Sequence, residues 1–331
     1  MAIIEVKDLV KEFVVVRKKT GLSGALRSLI KPEKSIVRGV DGLSFDIEQG
    51  DIVGYIGPNG AGKSTTIKML TGILHPTEGD IRVCGLSPQK ERKAVVRQLG
   101  VVFGQRTQLY WDLRLGETFE LLKRIYRIEA RRFANTMDVL HEVLRIRDFI
   151  DTPVRQLSLG QRMRGDLAAA MIHEPSVLFL DEPTIGLDAE AKHAVRQFIL
   201  TMNRERRMTV VLTTHDLDDV EFLCSRLLVV NHGKLVEDGP LDDIVGKLAP
   251  HRLLVIELDR EATLPDHDRA NLVRQEGLKV WYRFDKSDIT ASELIADLSA
   301  KLPIRDLSVQ EPDIEDAIRQ VYRTTGQEAA G

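Results

Sequence analysis

The chain has 331 residues, 43% of them hydrophobic and 29% charged, and its 47 basic and 50 acidic side chains give a formal net charge of -3. This composition is typical of a globular protein of about two domains, and it lacks the basic excess of a protein that coats nucleic acid. Two distant cysteines, Cys84 and Cys224, indicate neither a disulfide framework nor a cysteine-rich zinc site.

The sequence predicts no membrane-spanning segment. A spanning helix needs ~18–20 apolar residues, and the longest apolar runs, such as 176–180 and 227–230, have the length of strands. The N-terminus mixes acidic with apolar residues and does not resemble a secretion signal. We therefore expect a chain of the cytosol.

The N-terminal part of the chain is typical of strands around a basic insert. Strand-like runs cover residues 2–6 and 40–47, and the insert lies between them, at about residues 14–39. The insert is strongly basic, with Glu33 as its single acid. Its basic residues are Arg17, Lys18, Lys19, Arg27, Lys31, Lys34 and Arg38. Its middle has apolar residues at helical spacing. Two interpretations stay open: a solvated basic loop, or an amphipathic helix against lipid headgroups or a membrane subunit.

The central part of the chain alternates strands with helices. A strand at 51–56 leads into a glycine-rich loop, and a helix follows at 63–74. Residues from about 114 to 149 repeat apolar positions every three or four residues, which predicts amphipathic helices. Strands at 177–180 and 209–213 flank a helix at 189–205, so we expect an α/β fold with a parallel sheet and a helical insert.

A domain boundary is predicted at Gly239-Pro240, where the alternating pattern stops. The remaining residues, 240–331, carry strand patterns at 253–258 and 279–284 and helix patterns at 291–301 and 314–323. We expect a small α+β accessory domain after a first domain at 1–239.

The glycine-rich loop is the most informative motif of the chain. Residues 57–64, GPNGAGKS, match the phosphate-binding P-loop pattern and lie directly between a predicted strand and a predicted helix. Glycines let backbone N–H groups converge on phosphate oxygens, and the helix N-terminus favours an anion. Lys63 is expected to contact the β- and γ-phosphates, and Ser64 to bind Mg²⁺. The predicted nucleotide-binding residues here are Gly57, Pro58, Asn59, Gly60, Ala61, Gly62, Lys63, Ser64 and Thr65.

Two adjacent acidic residues end a later strand. Asp181 has the position of a second Mg²⁺-site carboxylate, and Glu182 follows it. Successive side chains of a strand point to opposite sides, so the two divide the work between metal and water only where the strand ends. An acidic pair at a strand end is often a solvated turn, but the P-loop upstream favours the metal-and-base interpretation.

Further motifs in the same order and spacing resemble the nucleotide-binding domain of an ABC ATPase, a P-loop NTPase core with a helical subdomain, here at about 106–170, and an antiparallel β subdomain. They are LSLGQ at 157–161, VLFLDEP at 177–183, GLD at 186–188 and THD at 214–216. Gln105 stands where the family has its Q-loop glutamine. The resemblance covers about residues 1–240.

The resemblance implies a set of roles. Gln105 would sense the γ-phosphate and Mg²⁺ and link the site to a transmembrane partner, Glu182 would be the general base, and His215 would contact the γ-phosphate. Ser158, Gly160 and Gln161 would close over the γ-phosphate held by the opposite protomer. Phe13 is the candidate for stacking on adenine, with core packing as its alternative. The family usually has LSGGQ, so Leu159 is a departure, although Ser158 and Gly160 remain.

The family further implies ATP and Mg²⁺ as cofactors and a nucleotide-sandwich dimer of two copies, because one chain holds one P-loop and one signature segment. Chromosome-organising and translation-acting ABC proteins differ in having coiled coils, zinc cysteines or two cassettes, although a soluble ABC ATPase acting on nucleic acid or the ribosome stays as the alternative. The insert and the segments at 103–113 and 157–164 resemble ATPases of bacterial ABC type 2 exporters, which pair with separate six-helix permease subunits. An N-terminal insert in ATPases of polysaccharide exporters is a weaker likeness. We expect an exporter ATPase at the cytoplasmic side of the cell membrane, with no nucleic-acid partner.

Overall fold

The computed structural model describes residues 2–17, 33–104, 106–248 and 251–310. Gln105, the middle of the basic insert and the helix expected at 314–323 lie outside the described residues. The chain divides into two compact units, Met1–Gly239 and Pro240–Gly331. In the ranges given above, no helix is long and apolar enough to cross a membrane.

The first unit is built from two sheets and a group of helices. Its strands are β1 (Ala2–Arg17), β2 (Glu33–Glu48), β3 (Ile52–Ile56), β4 (Glu78–Val83), β5 (Leu99–Phe103), β6 (Val177–Asp181), β7 (Thr209–Thr213), β8 (Arg226–Asn231) and β9 (Lys234–Pro240). Its α-helices are α1 (Lys63–Leu70), α2 (Arg92–Val96), α3 (Leu115–Tyr126), α4 (Ala130–Leu144), α5 (Leu159–Met171), α6 (Ala189–Arg206) and α7 (Leu217–Leu223).

The central sheet has six strands in the order β5-β6-β7-β3-β8-β9. The pairs of β6 with β5 and β7, and of β3 with β7 and β8, are parallel. β3 and β7 are buried along their whole length, which explains why they are continuous apolar or β-branched runs rather than alternating ones. The carboxyl ends of β3, β6 and β7 therefore meet at one edge of the sheet.

The second sheet is antiparallel, in the order β2-β1-β4. Phe45 of β2 packs against Tyr55 of β3, with ring centroids 6.0 Å apart, within the core that the two sheets share. β1 and β2 are longer than the sequence predicts, and both ends of the insert expected at 14–39 are paired strand rather than connection. The β-branched residues Val14, Val15 and Ile36 favour this extended pairing.

The helical segment follows β5. Helices α3, α4 and α5 occupy most of it, with short 3₁₀ helices at Arg147–Phe149 and Val154–Gln156. α6 ends one residue beyond the predicted range, whereas α1 stops at Leu70 rather than at residue 74. The early end of α1 has a local cause, because Gly72 adopts a φ of 69°, in the left-handed region that ends helices.

Glu174 joins the helical segment to the central sheet. Its carboxylate accepts hydrogen bonds from Arg132, at 2.5 Å, and Thr136, at 2.8 Å, both on α4. The same carboxylate accepts a hydrogen bond from Arg206 at the end of α6, at 3.3 Å. The Glu174 side chain therefore links helix α4 of the helical segment to helix α6, which packs on the central sheet.

The second unit is a small α+β fold. It contains α8 (Leu241–Leu248), β10 (His251–Leu258), β11 (Ala270–Glu276), β12 (Lys279–Asp285), α9 (Ala291–Ser299) and β13 (Ile304–Gln310). The sheet order is β11-β12-β10-β13, all antiparallel. Leu294 and Leu298 of α9 belong to the same buried cluster as Ile256 and Tyr282. β11 and β13 were not expected, because most of their side chains are exposed and show no apolar alternation.

Candidate functional site

The loop at residues 57–64 connects β3 to α1 and runs close to the rest of the backbone. A Cβ on Gly57 would lie 2.2 Å from the carbonyl oxygen of Val230, and one on Gly62 would lie 2.3 Å from that of Gly39. Gly60 and Gly62 have φ values of 85° and 100°, which L-residues rarely adopt. The path of the loop therefore requires glycines at these positions. The loop leads directly into the N-terminus of α1.

Lys63 is the first residue of α1, and its side chain folds back over the loop. Its ammonium group donates hydrogen bonds to the carbonyl oxygens of Gly57, at 2.5 Å, and Pro58, at 3.1 Å. Burial lowers the pKa of Lys63, and the negative charges of Glu182 and Asp181 oppose that shift. A buried cation beside the loop is suited to binding an anion there. At the tip of the loop, Asn59 is exposed, and Thr65 in α1 is half-buried.

Asp181 ends β6 beside the start of α1. The hydroxyl of Ser64 donates to its Oδ2 at 3.3 Å, and that of Thr213 donates to its Oδ1 at 2.5 Å. Thr213 is the register partner of Asp181 on the neighbouring strand β7. A carboxylate and a hydroxyl at this distance form a set of oxygen donors that fits Mg²⁺, which prefers oxygen ligands.

Glu182 follows Asp181 but points to a different partner. Its Oε1 lies 2.7 Å from Nε2 of His215, in the loop after β7. Glu182 has a φ of 57°, an unfavourable region for a non-glycine residue, and its N–H donates to the carbonyl of Thr213 at 2.8 Å. This left-handed turn ends the strand and separates the two carboxylates, so Asp181 faces Ser64 and Glu182 faces His215.

A cleft of about 310 Å³ opens beside these groups. It is lined by Ser64, Lys68, Ile73, Phe103, Gly104, Arg106, Asp181 and Glu182. Gly104 is packed against the acidic pair, since a Cβ there would lie 2.1 Å from the carbonyl oxygen of Glu182. Gly104 directly precedes Gln105 in the sequence.

Phe13 lies near the P-loop, although it comes from the antiparallel sheet. Its side chain is 37% exposed, and a Cβ on Gly39 would lie 2.9 Å from its ring. Gly39 in turn lies close to Gly62 of the P-loop, because a Cβ on Gly62 would be 2.3 Å from the Gly39 carbonyl oxygen. The ammonium group of Lys11 lies 5.6 Å from the centre of the Phe13 ring. A partly exposed ring beside the loop favours a stacking surface over a core side chain.

Residues 158–161 start helix α5. Ser158 is its N-cap, and its hydroxyl accepts a hydrogen bond from the N–H of Gln161 at 3.2 Å, while the side-chain oxygen of Gln161 accepts one from the N–H of Ser158 at 2.9 Å. Among the described residues, no hydrogen bond or ion pair joins this capping box to the P-loop. Leu159 is a normal first helical residue, so the departure from glycine costs no backbone strain. Its side chain lies beside Gly186, where an added Cβ would be 3.0 Å away.

Several site neighbours were missed in the sequence. Thr213, which donates to Asp181, is detectable only once the register of β7 is known. Gly104 precedes Gln105 without any motif of its own. A buried network behind His215 joins the hydroxyl of Thr184 and the guanidinium of Arg196 to the fully buried carboxylate of Asp219. These contacts depend on tertiary packing and leave no signal in the spacing of residues.

The P-loop on a parallel sheet, the acidic pair at the end of β6 and the antiparallel sheet beside them define an ATPase of the ATP-binding-cassette class. A family model described as ABC transporter matches residues 40–185. The ABC transporter ATP-binding protein NatA of Bacillus subtilis (strain 168) is 32% identical over 212 residues, 64% of this chain and 86% of the relative. The Nod factor export ATP-binding protein I of Burkholderia pseudomallei (strain 1710b) is 38% identical over 200 residues, 60% of this chain and 65% of the relative.

Solved structures of ATP-binding cassettes are similar to this chain in fold. An ATP-binding subunit of an ABC transporter is similar with a TM-score of 0.61 and 26% identity, covering 74% of this chain and 92% of that one. A dimeric ATP-binding cassette in a post-hydrolysis state, bound to ADP and Pi, has the same fold, with a TM-score of 0.59 and 24% identity over 72% of this chain and 98% of that one. The chain belongs to the ATP-binding proteins of ABC transporters.

Proposed function

We propose that this chain is the ATP-hydrolysing subunit of an ABC exporter, and that ATP drives it to form and release a dimer. The observation that carries the proposal is the convergence of Ser64, Asp181, Glu182 and His215 beside the P-loop. The relatives named for Nod factor export support the outward direction of transport. The substrate of this chain is not implied by that name, because cargo contacts belong to the membrane subunit.

The P-loop binds the phosphates of ATP. Backbone N–H groups of the loop and the start of α1 approach the phosphate oxygens, and Lys63 exchanges its loop carbonyls for the β- and γ-phosphates. Ser64 and Asp181 would hold Mg²⁺ through their oxygen atoms. When bound, the ion neutralises charge on the phosphates. Gln105 senses the same γ-phosphate, and Phe13 stacks on adenine.

Glu182 acts as the general base that orients the attacking water. This role is supported by its place in the cleft, one residue beyond the carboxylate that holds Mg²⁺, and by its divergence from that carboxylate. His215 contacts the γ-phosphate and, through the 2.7 Å contact of its Nε2, positions the carboxylate of Glu182. The buried Asp219 network supports the segment that carries His215.

Two copies are needed for a complete site. Ser158, Gly160 and Gln161 lie in a helix start, and within the described part of the chain no hydrogen bond or ion pair joins it to the P-loop, yet a helix N-terminus is suited to a phosphate. In the dimer this helix start faces the γ-phosphate held by the other copy. ATP therefore links the two copies, and loss of the γ-phosphate releases them.

The motion is used by separate transmembrane permease subunits, with this chain bound peripherally at the cytoplasmic side of the membrane. The basic insert contributes to that attachment. Beyond the last pairing of β1 with β4, at Val10, the ribbon of β1 and β2 exposes Val14, Val15, Ile36 and Val37. An apolar ribbon that leads into a basic segment fits a lipid or membrane-protein surface. The second unit supports or regulates the dimer.

Affinity purification of the tagged chain from detergent-solubilised membranes of its own cell tests the partner. We expect hydrophobic multi-span proteins to co-purify, and the tagged full chain without residues 18–32 serves as the matched control for attachment. Ribosomal proteins or nucleic acid in place of any membrane protein would instead support the soluble ABC ATPase alternative.

A further inference from the structure

Asp166 of helix α5 holds the segment that follows Gln105. Asp166 is 4% exposed. Its Oδ1 accepts hydrogen bonds from the N–H of Gln108, at 2.9 Å, and from the hydroxyl of Thr107, at 3.0 Å. The side-chain amide of Gln108 donates to the backbone carbonyl of Asp166 at 2.9 Å. Thr107 in turn accepts from the N–H of Leu109 at 3.1 Å. Both the side chain and the backbone of Asp166 therefore bind one short turn.

This turn and this helix belong to different parts of the proposed site. Helix α5 starts at the N-cap Ser158, about 12 Å along the axis from Asp166 at about 1.5 Å per residue. The turn begins two positions after Gln105, and Gly104 before it donates its N–H to the carbonyl of Asp181 at 2.7 Å. Contacts therefore join the acidic pair to Gly104, and separate contacts join residues 107 and 108 to helix α5.

We propose that Asp166 is a positioning residue for ATP hydrolysis, which makes the Gln105 segment and the Ser158 helix move as one body. The inference rests on the proposed function, because the roles of Gln105 and Ser158 are assigned there. When Gln105 contacts the γ-phosphate in one site, this contact then determines how Ser158 is positioned at the other site. Loss of the Asp166 contacts separates the two movements and lowers turnover without weakening the P-loop.

The chemistry of the carboxylate suits this role. Burial raises the pKa of Asp166 to about 6, against the opposing effects of the Gln108 amide, the Thr107 hydroxyl and the positive charge of Arg162. Arg162 is the charged group on α5 that acts on it, and the turn contributes the neutral Thr107 and Gln108. The oxygen Oδ1, which accepts both hydrogen bonds, therefore holds the turn, and an amide oxygen at this position can do the same.

The test compares Asp166→Ala with Asp166→Asn and Leu167→Ala in the full chain. Asparagine keeps an oxygen at Oδ1 and can accept both hydrogen bonds, whereas alanine leaves Thr107 and Gln108 without them. Leu167 is fully buried on the same helix, so its truncation destabilises the fold, and an apolar side chain takes no hydrogen bond away from the turn. The measurements are the ATP affinity of the isolated subunit, kcat per folded molecule, and ATP-dependent dimerisation.

We expect Asp166→Ala to lower kcat about tenfold or more, since small misplacements at a catalytic site have effects of this size. Its ATP affinity should stay within about twofold of the unsubstituted chain, while Asp166→Asn and Leu167→Ala keep most of their kcat per folded molecule. If Asp166→Ala hydrolyses ATP normally, or if Leu167→Ala loses kcat to the same extent, Asp166 only packs and the proposal is wrong.

A second variant covers the case in which Asp166→Ala does not fold. Thr107→Val removes two hydrogen bonds of the turn, the one donated to Asp166 and the one accepted from the N–H of Leu109, at a residue that is only half-buried. A lowered kcat with unchanged ATP affinity supports the proposal, and an unchanged kcat contradicts it. Failure of the proposed function is distinguishable, because the unsubstituted chain and the Leu167→Ala control would then also neither hydrolyse ATP nor dimerise.

Discussion

Asp166→Asn should make the first unit more stable at pH 8, although it removes a hydrogen-bonded charge. The pKa of Asp166 is raised from 3.8 to about 6, chiefly by burial. The folded protein thus binds this proton more tightly than the unfolded chain does. The contribution of the group to stability is complete at low pH and is lost as the pH rises from about 4 through 6.

The size of the effect follows from the shift. A shift of about two pKa units corresponds to about 3 kcal/mol at 1.36 kcal/mol per unit, which is an order-of-magnitude value for the cost of burying the charge at pH 8. Asparagine resembles the neutral acid and keeps the Oδ1 acceptor, so it avoids this cost. At pH 5 the native carboxyl is mostly protonated, and the advantage of asparagine should fall to about half.

Urea unfolding at pH 5 and pH 8 measures the difference. The chain has two tryptophans, Trp111 in the first unit and Trp281 in the second, so a Trp281→Phe background reports on the first unit alone. We expect the urea midpoint of Asp166→Asn to exceed that of the reference by more at pH 8 than at pH 5. A variant that is destabilised equally at both pH values would mean that the contacts of the charge outweigh its burial, which would refute the reasoning.

Three further results are expected. Phe13→Ala should raise the Kd for ATP about tenfold, the order of one lost base stack, and Phe13→Tyr should not; an unchanged Kd with a lower unfolding midpoint would mean that Phe13 only packs. Deleting residues 21–30 should reduce transport by the assembled exporter while the isolated subunit still hydrolyses ATP, and unchanged transport would contradict a role in attachment. Truncation after Gly239 should weaken ATP-dependent dimerisation, measured by analytical ultracentrifugation, and unchanged dimerisation would exclude a supporting role for the second unit.

Much of the site was predictable because its residues follow strand ends. The P-loop could be recognised from residues 57–64 alone, since the path of the backbone requires glycines where the motif has them. The position of Asp181 and Glu182 followed from the apolar run before them. What the spacing could not reveal was how the two carboxylates diverge, because that depends on the left-handed φ of Glu182.

The remaining contacts depend on packing between distant segments. Thr213 reaches Asp181 because β6 and β7 are adjacent in register, and Asp166 reaches Thr107 across 59 positions of sequence. Neither pair has a local pattern. The edge strands β11 and β13 were missed for a related reason, since exposed strands lack the apolar alternation on which strand prediction depends. Long-range contacts of this kind become visible only in the folded chain.

The central claim is that ATP joins two copies of the chain and that its hydrolysis separates them. Glu182→Gln removes the proposed base but keeps the P-loop, so it tests this claim most directly. We expect the variant to bind ATP normally, to lose nearly all turnover, and to elute as a dimer with ATP and Mg²⁺ but as a monomer with ADP. Hydrolysis at the full rate by a monomer, or no dimer with ATP, would contradict the claim.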